Sequence, residues 1–83
     1  MPITITYIND DIDDIISFTE IINRNLVSKI DCTDNELISL PDNMNFPNLQ
    51  YFICYGNQLT ALPAFGTNMN FPNLIDFTCN NNK

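Results

Sequence analysis

The sequence predicts a repeat solenoid: a short parallel β-sheet on its concave side, irregular or 3-10 return arms on its convex side, and an N-terminal strand-helix cap. Three observations predict it. The heptapeptide Asn-Met-Asn-Phe-Pro-Asn-Leu occurs at 43–49 and again, unchanged, at 68–74. Apolar residues, cysteine and asparagine recur at matching spacings after each copy. Prolines fall where a helical return arm would have to run, and proline breaks a helix interior. A unit that cannot bury its apolar face alone does so by stacking on the next copy.

In chain order, residues 1–26 lie outside the repeat and are assigned to the cap. Ile3-Thr4-Ile5-Thr6-Tyr7-Ile8 alternates and is rich in β-branched residues, so it reads as a strand. Asn9 or Asp10 then caps an expected helix over about 10–23, with Ile12, Ile15, Ile16, Thr19 and Ile22 on one face. Asp10, Asp11, Asp13 and Asp14 would occupy its first turn, where the helix dipole favours acids. A calcium loop is the competing reading of those acids. The run lacks the glycine and the closing glutamate of such a loop, and Ile12 interrupts it.

The repeats are bounded at 27–48, 49–73 and 74–83. Val27 leads to Ile30, Cys32, Asn35, Leu37, Leu40 and Pro41; Leu49 leads to Phe52, Cys54, Asn57, Leu59, Leu62 and Pro63; Leu74 leads to Phe77, Cys79 and Asn82. The alternations Ile30-x-Cys32, Phe52-x-Cys54 and Phe77-x-Cys79 predict short strands with one buried face. The cysteines are expected as a ladder of small buried side chains with free thiols. No histidine accompanies them, and stacked side chains that point the same way are poorly placed for a disulfide. The alternative, a metal or redox group, has no close C-x-x-C pair behind it. Pro41, Pro63, Pro47 and Pro72 forbid a regular helix on the return arms, and Phe46 and Phe71 are expected to pack inward there. The second interval is longer because Ala64-Phe65-Gly66-Thr67 stands where Asp42 stands in the first.

Written as L-x-x-L-x-C-x-x-N-x-L-x-x-L-P, the unit resembles the leucine-rich repeat family over residues 27–83. Its Cys/Asn flavour is similar to repeats of large DNA viruses of amoebae and, more loosely, of bacterial effectors. The resemblance implies that Asn35, Asn57 and Asn82 turn inward and hydrogen-bond backbone groups left over at each turn. It also implies that a partner meets the concave face of the sheet, where Lys29, Asp31, Tyr51, Ile53, Tyr55, Asp76 and Thr78 alternate with the buried residues. Tyr51 and Tyr55 flank Ile53 in an apolar patch rimmed by acids, and tyrosine is common among binding hot spots.

Bulk properties narrow the function further. An apolar fraction of 45% against 16% charged residues fits a folded chain. Ten carboxylates against Lys29, Lys83 and Arg24 give a net charge of −7, which repels phosphate backbones and anionic lipid. Nucleic acid and membrane are therefore not expected as partners. Without histidine the chain lacks the commonest general base and metal ligand, and no catalytic residue, metal or cofactor is assigned. The absence of a basic start followed by an apolar run, together with an odd number of cysteines, predicts an intracellular protein, in host cytoplasm if the source is viral. The expected function is a non-catalytic protein–protein interaction module. The alternative is a truncated or vestigial array that self-associates through an uncapped C-terminal edge as a homo-oligomer, since the pattern stops before the third unit closes.

Overall fold

A computed structural model describes residues 2–41, 43–61, 69–80 and 82. Among the described residues seven strands fall into two sheets: β1 Ile3–Tyr7, β2 Ile12–Ile15, β3 Val27–Asp31, β4 Met44–Asn45, β5 Tyr51–Ile53, β6 Met69–Asn70 and β7 Asp76–Thr78. The main sheet has the order β2-β1-β3-β5-β7, and β4 pairs with β6 apart from it.

The repeated units meet in parallel. Lys29, Ile30 and Asp31 of β3 pair with Tyr51, Phe52 and Ile53 of β5, which pair in turn with Asp76, Phe77 and Thr78 of β7. Identical alternation in each unit puts Ile30, Phe52 and Phe77 on one face, and the aromatic rings stack along it. Phe52 and Phe77 lie 5.3 Å apart at 9° between planes, and Phe71 covers Phe52 at 5.6 Å. Ile3, Ile5, Val27, Leu49, Met44, Met69 and Phe46 complete one buried cluster.

The rest departs from the expected solenoid, and that expectation is overturned. The main sheet is mixed, a two-stranded sheet stands apart from it, and among the described residues no repeat closes. The N-terminal segment joins the sheet instead of capping it with a helix. β1 runs antiparallel to β3, and β2 folds back antiparallel on β1, pairing Ile3 with Ile15 and Thr6 with Ile12. The physical reason lies at Ile8-Asn9-Asp10. Asp10 adopts φ 70°, the left-handed residue that closes a three-residue hairpin loop, and Tyr7 N–H donates to Asp11 O at 2.8 Å across it. The residues assigned to one helical face are scattered: Ile15 is buried, whereas Ile12, Ile16, Thr19 and Ile22 are exposed. Isoleucine and aspartate are both indifferent helix formers, so nothing opposes the hairpin. What helical geometry remains among the described residues is two 3-10 turns, Phe18–Glu20 and Arg24–Leu26, the first held by a capping box in which Glu20 accepts from the N–H groups of Ile16 and Ser17.

The return arms are not simply irregular. The described residues of the two heptapeptide copies, 43–49 and 69–74, fold alike and pair with each other, Met44 with Met69 and Asn45 with Asn70. Each then turns at its proline, and Leu49 N–H and Leu74 N–H donate back to Phe46 O and Phe71 O. Phe46 is buried in this arm, and the Arg24 guanidinium lies 5.0 Å over its ring while donating to Asn43 O. Leu62, Pro63 and the 64–67 insertion lie outside the described residues, as do Asp42, Asn81 and Lys83.

Candidate functional site

Parallel register sets the geometry of the outward face of the main sheet. Lys29, Tyr51 and Asp76 form one row across β3, β5 and β7, and Asp31, Ile53 and Thr78 form the next. Backbone bonds from Asp34 N to Tyr55 O and from Gly56 N to Asn80 O carry the same register onward, so Thr33, Tyr55 and Asn80 make a third row. All seven residues assigned to a partner surface thus share one face. Tyr51 and Tyr55 are 39% and 37% exposed, so the side chains are half-sunk, and Ile53 lies partly buried between them. Side-chain bonds pin the acids beside this patch. Asp31 Oδ1 accepts from Thr33 Oγ1 at 2.6 Å and from Thr33 N at 3.1 Å, and Thr78 Oγ1 donates to Asp76 Oδ1 at 3.4 Å.

The N-terminal hairpin extends both principal rows, which the sequence reading missed. Thr6 and Ile12 continue the Lys29 row, while Thr4 and Asp14 continue the Asp31 row with Thr4 Oγ1 donating to Asp14 Oδ1 at 2.9 Å. Alternation in β1 already placed Thr4 and Thr6 opposite Ile3 and Ile5. The partner strand β2 had no such signal, because its isoleucines also fit a helical period.

The asparagines hold the turns that end the strands. Asn57 is buried, and its amide donates to Cys32 O at 2.8 Å and Cys54 O at 3.0 Å, while its Oδ1 accepts from Asn35 N at 2.9 Å and Leu37 N at 3.0 Å. One side chain therefore sews its own turn to the previous one. Asn82 does the same one unit later, donating to Cys54 O and Cys79 O and accepting from Leu59 N. Asn35 has no earlier unit and reaches Thr33 O and, in β1's approach, Pro2 O. Cys32 and Cys54 are buried and Cys79 partly so, all three as free thiols. Burial, aided by the nearby Asp31 charge, pushes the Cys32 thiol up to about 12, and burial likewise raises Cys54.

A second concavity lies where the chain enters the parallel strands. It encloses about 480 Å³ and is lined by Ile8, Asp10, Ser28, Asn48, Gln50 and Asn73. Asn48 and Asn73 are the same heptapeptide position, and each donates to a carbonyl one unit back, Asn25 O and Pro47 O. None of the residues assigned from sequence lines it. Its signal is the repeated Pro-Asn-Leu, whose prolines alone entered the sequence argument, as residues that exclude a helix.

Among the described residues no group of three histidine, cysteine or acidic side chains is arranged to hold a metal ion, and no helix is long and apolar enough to cross a membrane. Compared with family models, curated proteins and solved structures, the chain matches none of them.

Proposed function

We propose that this chain is a non-catalytic protein-interaction module whose contact surface is the outward face of β3, β5 and β7. The observation that carries the reading is the register that brings Tyr51, Ile53 and Tyr55 to the middle of the face, with Lys29, Asp31, Asp76 and Thr78 around them. Half-sunk tyrosines bring large contact area with little rotamer entropy to lose, and fixed polar neighbours supply a rim. The spacing of cysteine, asparagine and leucine links the unit to leucine-rich repeats on this reading, without their solenoid architecture. The partner is a protein; an acidic chain repels nucleic acid and anionic membrane. Three free cysteines fit work inside a cell.

The test is selection of displayed peptides on the immobilised chain, followed by affinity measurement on a Tyr51→Ala/Tyr55→Ala variant. Loss of one hot-spot tyrosine costs about 2 kcal/mol, so binding by the double variant is expected to weaken by at least roughly 30-fold. Undiminished binding to a folded variant would place the contact elsewhere.

One observation favours a second reading, self-association through the outer edge of β7. The sheet's two edges differ: β2 carries Asp13 on the core side, a charge that discourages strand addition, whereas β7 carries partly buried Phe77 there. A concentration series by sedimentation decides it, because a persistent monomer removes this reading.

A further inference from the structure

The cysteine ladder holds three thiols in unequal positions. Cys32 Sγ donates to Ile53 O at 3.3 Å, and Cys54 Sγ lies 3.4 Å from Thr78 O. Cys54 Sγ also lies only 2.8 Å from Cys79 Sγ. A disulfide is about 2.05 Å long and tolerates Cα separations of roughly 4.4–6.8 Å, a span that includes the spacing of about 4.8 Å between adjacent strands. Closing the pair therefore needs an approach of less than about 1 Å. All three thiols are free, as expected, yet side chains that stack in the same direction bring Cys54 and Cys79 within sulfur contact, closer than the expected poor disulfide geometry allows. Exposure differs too: Cys54 is sealed in the core, whereas Cys79 is partly open to a small reagent.

We propose that Cys54 and Cys79 form a dithiol pair that closes to an intramolecular disulfide when a small-molecule disulfide reaches Cys79. Cys79 loses its proton and its sulfur attacks one sulfur of the reagent; the reagent's S–S bond breaks and one thiolate leaves, taking up a proton as a thiol. Cys54 then loses its proton and attacks Cys79 Sγ, forming the Cys54–Cys79 bond and expelling the second thiolate, which is protonated in turn. Two protein thiols are oxidised and one small disulfide is reduced to two thiols. Burial shuts Cys54 off from outside reagents, so its thiolate, once formed, meets only the neighbour that the fold holds against it. The bond ties the end of β5 to the end of β7 and so fixes an edge strand of the main sheet. This holds whatever the outward face binds.

The experiment treats the reduced, folded 83-residue chain with oxidised glutathione, quenches it in acid, unfolds it, alkylates the remaining thiols and maps the peptides by mass spectrometry. The expected product is a monomer lighter by two hydrogens, alkylated at Cys32 alone, with the peptides of Cys54 and Cys79 joined. Cys79→Ser should abolish the bridge and Cys32→Ser should retain it; the wild-type map decides the matter if either variant fails to fold. In denaturant the same treatment should scatter the pairing, because the selectivity belongs to the fold. Three alkylated cysteines, a lasting glutathione adduct at Cys79, a bridge that includes Cys32, or a cross-linked dimer would each overturn the proposal.

Discussion

The second and third units of the chain use the same residues at the same spacings and reach different ends. Leu49, Phe52 and Cys54 are fully buried, whereas Leu74, Phe77 and Cys79 are only partly so. Asn57 is buried and serves five backbone groups; Asn82, partly exposed, serves a similar set one unit later. The difference lies in company, not composition. β5 has a strand on both sides, and β7 has one on a single side among the described residues. Side chains that stack along parallel strands draw their burial from neighbours, so β5, flanked on both sides, is held more firmly than β7. The middle of the sheet is also where Tyr51, Ile53 and Tyr55 are displayed.

The largest expected effect that sharpens this contrast comes from the stacked rings. Phe52→Ala removes a ring between Phe71 and Phe77 and is expected to cost ~4 kcal/mol, enough to unfold much of a domain this small. Phe77→Ala should cost about half as much, since its ring is already partly in water. Urea unfolding of both variants checks it, and equal losses would break the comparison. Next comes the asparagine ladder. Asn57→Ala orphans buried backbone groups on two turns and is expected to cost ~3 kcal/mol, against ~1 kcal/mol or less for Asn35→Ala, whose bonds lie nearer solvent.

The smallest effect is alkaline. The Cys32 thiol is raised in the folded chain from an ordinary 9.0, and Cys54 is raised with it, so the folded state holds these protons more tightly than the unfolded one. Their contribution is complete below about pH 9 and is lost as pH rises from there towards about 12. Thermal melts at pH 7 and pH 10 should show a smaller drop for Cys32→Ala than for the wild type.

What was legible in the sequence is what the chain states twice. The two heptapeptides, the cysteines and the asparagines recur, so the parallel pairing of β3, β5 and β7 and the face carrying Tyr51, Ile53 and Tyr55 were readable from spacing alone. The N-terminal segment is stated once. Ile12, Ile15, Ile16 and Ile22 fit a helical period as well as they fit a strand, and the deciding feature, the left-handed Asp10, is a backbone state that residue type only permits. The pairing of β4 with β6 was missed for a different reason. Proline near each copy excluded a helix, yet the two residues before Phe46 and Phe71 remain free to extend and find each other. The approach of Cys54 to Cys79 depends on side-chain rotation, which no spacing reports.

The most direct test of the central claim is an NMR titration of the labelled chain with a peptide selected on it. Shift changes should centre on Tyr51, Ile53 and Tyr55 and fade towards Asp76 and Thr78 on one side and Thr4 and Thr6 on the other. Changes centred instead on Ile8, Ser28, Gln50 and Asn73, around the 480 Å³ concavity at the strand entrances, would contradict it.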